Sequence, residues 1–348
     1  MDFILYNPTV IFAVTFFVVT VFSLLGVRKS TGKVTEDNFF SINQTNWLRG
    51  IAIVWVAFSH YYQNIGASFL YAYIGAFGVG MFFLCSGYGL TMSKLKKKDY
   101  HKGFLKNILL RIYAPYVITF AIKWLMVLLI PLECNDNIFL NFLTVSLPNA
   151  LIWYLKVQII MYIVYYIMLL ICKDNNKMFC GSIFLLSAVY MLIGYFTGIE
   201  SFWYQNTLWF PIGISLATYR VDILKFIQKY FIRIFILCFT LFVTGFGLVY
   251  FIGVNVIYQI IMINATVACI LLFCTKFSGD SKIMKFMGNY SLEIYFSHSI
   301  VATLLKAYFP MDNLILAFVF IIASVLVAIP IKFLSNKIVA IVSKVTSK

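Results

Sequence analysis

The chain has 348 residues, of which 62% are hydrophobic and only 11% are charged. A soluble domain of this length could not hide so much apolar surface, so the composition excludes a water-soluble protein. Several apolar stretches reach the roughly 20 residues that a membrane-spanning helix needs, and no run of alternating polarity suggests a membrane β-barrel. We therefore expect an all-α fold, a polytopic bundle of transmembrane helices. The net charge of +15 does not indicate a nucleic-acid partner, because the basic residues lie in short loops between apolar runs.

Eleven membrane spans are predicted in chain order, and because their linkers are short, residues 1–348 are expected to form one domain. The opening sequence MDFILYNPTVIFAVTFF has neither a basic start nor a small-residue cleavage site. It is therefore predicted to be a first membrane span and not a cleaved signal peptide. The eleven spans lie at about residues 4–26, 47–64, 70–92, 109–131, 150–172, 178–197, 202–219, 231–252, 255–275, 289–308 and 313–340.

Basic residues are concentrated in every second connection between the predicted spans. Because lysine and arginine collect in cytoplasmic loops, this alternation predicts an external N-terminus and a cytoplasmic C-terminus. The intervening connections contain Glu133, Asp136 and Glu200, and Lys306 is a minor exception. The segments predicted to be cytoplasmic contain Arg28, Lys29, Lys33, the loop KLKKKDYHKGFLK (94–106), Lys173, Lys177, Arg220, Lys225, Lys229, Arg233, Lys276, Lys282, Lys285, Lys337, Lys344 and Lys348.

The second span carries an ionisable residue near each of its ends. Arg49 enters the span from the cytoplasmic side, and His60 follows eleven positions later, about 16 Å along a helix. A charge in hydrocarbon costs at least about 2.5 kcal/mol, so such residues usually face a cavity or a partner. The alternatives are that Arg49 snorkels to the cytoplasmic headgroups and that His60 belongs to an interfacial aromatic belt.

Four further ionisable residues lie inside the spans. Lys123 and Lys156, in the fourth and fifth spans, are either paired with other groups or snorkelling. Glu293 and His298 share the tenth span but point about 140° apart on a helix, so each is expected to meet groups on other helices. Histidine titrates near neutrality and can take a proton from a hydroxyl, so the set indicates proton handling. These residues alone do not distinguish an enzyme from a proton-coupled transporter.

The cytoplasmic loop 94–111 is unusually basic. It is predicted to bind either anionic lipid or a phosphate-rich cytoplasmic ligand. His101, the third histidine of the chain, lies in this loop and is expected to be solvated. The seven cysteines have no metal-binding spacing such as Cys-x-x-Cys, so no metal site is expected. The basic residues of the loop are Lys94, Lys96, Lys97, Lys98, Lys102, Lys106 and Arg111.

Five segments, in order along the chain, resemble the membrane-bound acyltransferase-3 family, including its arginine–ten residues–histidine motif. Two features depart from the family pattern. Ile108 stands where a second arginine is common, three residues before Arg111, and the span within residues 1–30 is additional. No extracellular esterase-like domain, which some members carry, is recognised in the sequence. The five segments are WLRGIAIVWVAFSH (47–60), GVGMFFLCSGYGL (78–90), RIYAPY (111–116), WYL (153–155) and GNYSLEIYFSHSIV (288–301).

The resemblance implies transfer of an acyl group, usually acetyl, from cytoplasmic acyl-CoA to a hydroxyl of a cell-surface or lipid-linked carbohydrate, such as an exopolysaccharide. It also implies a multi-pass protein of a bacterial plasma membrane. His60 would act as the general base on the acceptor hydroxyl, and Arg49 would bind or position acetyl-CoA. Glu293 or His298 would orient His60 or the acceptor. The phosphates of coenzyme A would bind the basic loop, at Lys96, Lys97, Lys98, Lys106 and Arg111.

Several alternatives remain open from the sequence. Transfer could be direct or could pass through an acyl-histidine intermediate, and Ser86 is a less favoured nucleophile because no base lies beside it in the sequence. The acyl group could be succinyl instead of acetyl. The protein could instead be a transporter or flippase for a lipid-linked sugar, or a sugar-binding membrane scaffold without chemistry. A transporter is typically marked by broken helices at matching positions of two halves, and the prolines here do not follow that pattern.

Overall fold

The computed structural model describes residues 7–29, 39–64, 70–97, 99–130, 137–148, 152–310 and 313–345. Most of these residues are helical, so the predicted all-α fold class is confirmed. Within these ranges one small antiparallel sheet occurs, formed by β1 (Val27–Lys29) and β2 (Phe277–Gly279). The sheet joins the segment that follows the helix Pro8–Leu24 to the segment that precedes the helix Lys282–Asn289.

Thirteen α-helices lie in the described ranges, and eleven of them have ten residues or more. Each of these eleven overlaps one of the predicted spans. The helix α9 continues directly into a π-helical turn at Leu248–Ile252. The helices are α1 Pro8–Leu24, α2 Ile42–Asn64, α3 Leu70–Lys96, α4 Phe104–Leu129, α5 Ile138–Leu143, α6 Trp153–Cys172, α7 Asn176–Phe196, α8 Trp209–Thr218, α9 Arg220–Gly247, α10 Val256–Cys274, α11 Lys282–Asn289, α12 Ser291–Tyr308 and α13 Leu314–Val345.

Seven of the described helices are long and apolar enough to cross a membrane: α3, α4, α6, α7, α9, α10 and α13. This establishes a multi-pass membrane protein, whereas the count of eleven spans and the orientation remain predictions. The helices α2 and α12 have 23 and 18 residues but are too polar to be counted among the seven. These two helices carry Arg49, His60, Glu293 and His298, so their polarity reflects the candidate site that they build.

The seventh predicted span is shorter than expected. Only Trp209–Thr218 is helical there, about 15 Å at 1.5 Å per residue, or half of a hydrocarbon core. The preceding residues form a 3₁₀ turn at Ser201–Trp203 and further turns. The short helix packs closely on α3, because a Cβ at Gly87 would overlap the carbonyl oxygen of Phe210.

The helix α6, which begins three residues after the start of the predicted span at 150–172, has its first turn inside the bundle. The ring of Tyr154, in its first turn, lies 5.2 Å from the ring of Phe83 in the middle of α3. The chain before α6 is held against α4, where the Tyr116 hydroxyl donates to the carbonyls of Asn141 (2.9 Å) and Ser146 (3.1 Å). Non-helical backbone at membrane depth is stable where protein surrounds it. The first turn of α6 is therefore available to border an interior site.

The helix α11 lies directly on α2 through two glycines. A Cβ at Gly50 would overlap the carbonyl oxygen of Met284, and a Cβ at Gly288 would overlap that of Asn46. Small residues of this kind let two helix backbones approach closely within a membrane protein. Because α12 follows α11 after a single residue, this contact also fixes where α12 starts beside α2.

We expect Gly50→Ala to lower the thermal midpoint of the detergent-solubilised protein, because the new methyl group must push two backbones apart. Overpacking of this kind costs about 1–3 kcal/mol. The matched control is Gly181→Ala in α7, where a Cβ meets open space and alanine favours the helix. Thermal unfolding followed by size-exclusion chromatography would measure the two midpoints. A Gly50→Ala midpoint equal to that of wild type would contradict the close contact of α11 with α2.

Candidate active site

A cavity of about 630 Å³ runs into the bundle from the side that carries the basic loop 94–111. Its walls come from α2, α3, α4, α6 and α12. The volume is typical of a small-molecule binding site. Exposed residues of the loop form its mouth, Arg49 and Gln158 line its middle, and three aromatic rings, those of Phe82, Tyr154 and Tyr295, line its deep end.

The mouth of the cavity carries a positive charge. Lys97, Lys102 and Arg111 line it together with Asp99, whose carboxylate lies 3.3 Å from the ammonium of Lys102. Burial raises the pKa of Tyr100 to about 12, and the nearby Arg111 only partly opposes this. At neutral pH the phenol therefore keeps its proton and can donate a hydrogen bond. Cations and neutral donors of this kind suit phosphate groups.

The predicted coenzyme A contacts separate into three groups. Arg111 and Lys97 line the cavity, as the prediction requires. Lys96 and Lys106 are exposed and do not border it, and Lys98 lies outside the described residues. Residues 106 and 111 of one helix point about 140° apart, so a count of lysines in the loop could not tell which ones face inward.

Ile108, at the position where the family often has a second arginine, lines the cavity wall. The wall therefore carries one cation fewer than the family pattern provides. The sequence analysis counted Lys102 in the basic loop but did not assign it to the site. The buried Gln158 and the half-buried Tyr162 also line the cavity, and they were not predicted because they are ordinary residues of an apolar helix by sequence pattern.

Arg49 lies in the middle of the cavity wall and is held there by a chain of amides. Its guanidinium donates to the Asn46 side-chain oxygen, and Asn46 in turn donates to the side-chain oxygen of Asn289, 2.7 Å away. The Nε atom of Arg49 is buried and has no hydrogen-bond partner in the described part of the chain. The side-chain amide nitrogen of Gln158, which also lines the cavity, is likewise buried and has no hydrogen-bond partner in the described residues. Both are donors that a polar ligand in the cavity could satisfy.

His60 and His298 meet face to face, although they lie on helices far apart in the sequence. Their ring centroids are 5.0 Å apart, with 23° between the planes. The Nδ1 atom of His298 lies 3.3 Å from the carbonyl oxygen of Ile294. A carbonyl can only accept, so in the neutral ring this nitrogen carries the proton and Nε2 is the basic atom. In this arrangement each neutral imidazole has one ring nitrogen that can accept a proton.

The two intramembrane lysines are both paired. The Nζ atom of Lys123, which is fully buried, donates to the Thr303 hydroxyl at 2.5 Å and lies 3.5 Å from the carbonyl oxygen of Ser299. Both partners are on α12, within about one turn of His298. Lys156 donates to the Ser146 hydroxyl at 2.8 Å. Of the two alternatives that the sequence allowed, pairing is therefore the one that the structure shows.

Glu293 forms an ion pair with Lys332 of α13, with 3.3 Å between the charged atoms. Lys332 also donates to the carbonyl of Asn289 and lies over the ring of Tyr290, 4.6 Å from its centroid. These contacts tie α12 to α13. The structure therefore joins Glu293 to a lysine that the sequence analysis did not single out, and it joins His298 to His60. Lys332 lies nearer the middle of the last apolar span than Lys337, and this position was the available signal for the partner.

The cavity does not reach the histidines directly. Tyr295 lines its deep end, and the ring of the same residue lies 5.6 Å from that of His298. The two histidines are thus separated from the cavity by one aromatic side chain. Arg49 and His60, which are eleven residues apart on one helix, lie within about 20° of the same face, so the cavity and the histidine pair share a side of α2.

The family can now be stated from comparison with known proteins. A family model described as an acyltransferase domain, that of the acyltransferase-3 family, matches residues 42–333. The chain belongs to this family, as the resemblance predicted. The match begins at the first residue of α2, so α1 lies outside it. No curated protein and no solved structure shows a significant similarity to the chain.

Proposed function

We propose that this protein transfers an acyl group, acetyl in the first instance, from cytoplasmic acyl-CoA to a hydroxyl of a cell-surface or lipid-linked carbohydrate. The observation that carries the proposal is the cavity with a basic mouth that ends one aromatic ring from a pair of stacked histidines. Membership of an acyltransferase family supports the reaction class. The proposed setting is a bacterial plasma membrane, with the cavity mouth in the cytoplasm.

The residues of the cavity suit coenzyme A. Lys97, Lys102 and Arg111 at the mouth would hold its phosphates. Farther in, the buried and unpartnered donors of Arg49 and Gln158 would meet the amide carbonyls of the pantetheine arm. This arrangement would bring the thioester to the deep end, near the histidine pair.

In the proposed chemistry, His60 acts as the general base. Its ring takes the proton of the acceptor hydroxyl as the hydroxyl oxygen attacks the thioester carbonyl carbon. The carbon–sulfur bond then breaks, and the proton returns to the sulfur, so that the products are the ester and free coenzyme A. His298, stacked on His60, would hold the base in position. An acyl-histidine intermediate remains the alternative route.

A second candidate is a transporter or flippase for a lipid-linked sugar. The interior start of α6 and the ten-residue α8 favour it, because broken helices near the membrane midplane are typical of transporter sites. A transporter of this kind would move its substrate without consuming acyl-CoA, and this difference separates the two candidates experimentally.

For the purified protein, we expect His60→Ala to lower kcat by about 10²- to 10⁴-fold, the usual contribution of a general base. Turnover is measured as release of free coenzyme A from acetyl-CoA in the presence of a panel of oligosaccharide acceptors. The matched control is His101→Ala, which removes an exposed histidine of the loop and should turn over like wild type. If His60→Ala keeps full activity, His60 is not the general base. If wild type releases no coenzyme A with any acceptor, the transporter is favoured.

We also expect Arg111→Ala to weaken acetyl-CoA binding about tenfold or more, because a hydrogen bond to a charged group contributes about 1.5–3 kcal/mol. Lys106→Ala removes a cation from the same helix but on a face away from the cavity, and it should change the dissociation constant less than twofold. Isothermal titration calorimetry at two salt concentrations would measure both. Equal weakening by the two substitutions would indicate a general effect of loop charge and would contradict the assigned mouth.

A further inference from the structure

The deep end of the cavity is lined by aromatic rings that contact one another. The ring of Tyr295 lies 5.6 Å from that of Tyr154 and nearly perpendicular to it. Tyr154 is also in contact with Phe82, at 5.8 Å between ring centroids. All three side chains are at least nine-tenths buried and all three line the cavity. The three rings therefore form a bulky cluster beside His298, and an acyl group that reaches the histidine pair must pass this cluster.

Tyr295 is the part of this cluster that faces both sides. One side of it borders the cavity, and its ring lies 5.6 Å from that of His298 on the other side. Its ring packs against that of Tyr154 in the first turn of α6, with 5.6 Å between the ring centroids. This contact holds the ring across the cavity end.

The second ring of the cluster is also fixed. The Tyr154 hydroxyl donates to the side-chain oxygen of Gln158, one turn further along α6, at 2.9 Å. The interior start of α6 is what brings Tyr154 to this depth. The ring therefore cannot swing aside without losing a hydrogen bond inside the bundle.

We infer that Tyr295, backed by Tyr154, is a filter for acyl length: the space between the cavity and the histidine pair admits a thioester with a short acyl group and rejects longer chains. This inference rests on the proposed binding of acyl-CoA in the cavity. Each added methylene must displace a ring of the cluster, and discrimination by one methylene in an enzyme pocket is about 10- to 200-fold.

The test compares dissociation constants of free coenzyme A, acetyl-CoA and butyryl-CoA for the full-length protein in detergent, by calorimetry. It needs no carbohydrate acceptor. For wild type we expect butyryl-CoA to bind at least tenfold more weakly than acetyl-CoA. Tyr295→Ala opens the space, so the ratio of the dissociation constants of butyryl-CoA and acetyl-CoA should fall to about one. Tyr295→Leu, a milder change that serves if the alanine variant does not fold, should give an intermediate ratio.

Two controls identify the ring as the cause. Tyr295→Phe keeps the ring and removes the hydroxyl, so it should keep the wild-type ratio. Tyr100→Ala removes a phenol from the mouth of the same cavity and should weaken all three ligands alike, also with an unchanged ratio.

The outcomes separate the filter from the proposed function. Equal binding of acetyl-CoA and butyryl-CoA by wild type would overturn the filter and leave coenzyme A binding intact. If Tyr295→Ala and Tyr295→Leu keep the wild-type ratio of the butyryl-CoA and acetyl-CoA dissociation constants, the Tyr295 ring is not the barrier. A ratio of about one in Tyr295→Phe would lead to the same conclusion. A wild-type protein that binds none of the three ligands would overturn the proposed function and the filter together.

Discussion

The contact of α11 with α2 is the constraint on which the candidate site depends. Two helix backbones touch at Gly50 and Gly288, and α12 follows α11 after a single residue. The register of that contact therefore decides which residues of α12 face α2. It brings His298 to the level of His60 and the Asn289 amide to the Asn46–Arg49 pair. A shift by one residue would rotate α12 by about 100° and separate the two histidines.

Several polar groups inside this bundle make specific contacts that offset the cost of burying them. Lys123 is bonded to α12, Glu293 to Lys332 of α13, and Tyr116 to the carbonyls of the chain before α6. Unsatisfied polar groups are expensive in hydrocarbon, so these bonds also hold the helices in one arrangement. Within the described part of the chain, the unpartnered donors of Arg49 and Gln158 both line the cavity, where a ligand can reach them.

The sequence predicted where the helices lie along the chain better than how far each helix extends through the bundle. Long apolar runs predicted a helix at each of the eleven spans, and the structure has a helix at each of them. Hydropathy measures the length of an apolar run, however, and not where the run begins in the membrane. For this reason the short α8 and the interior start of α6 were not predicted.

The resemblance implied that Glu293 or His298 orients His60 or the acceptor, but the sequence did not choose between them. The pairings of His60 with His298 and of Glu293 with Lys332 depend on the rotation of α12 between its neighbours, which no spacing within one helix reports. The residues themselves were nevertheless identified, because an ionisable side chain in an apolar span stands out. The same reasoning selected Arg111 and Lys97 in the basic loop, but it also selected Lys96 and Lys106, since charge alone does not reveal direction.

The most direct test of the account is acyl transfer across a sealed membrane. Radiolabelled acetyl-CoA, which does not cross bilayers, is added outside vesicles that carry the protein in either orientation. The account predicts that carbohydrate on the opposite face becomes labelled only when the cytoplasmic side faces the added acetyl-CoA, and only when His60 is present. Equal labelling from either side would contradict passage through the bundle. Movement of lipid-linked sugar without any consumption of acetyl-CoA would make the protein a transporter.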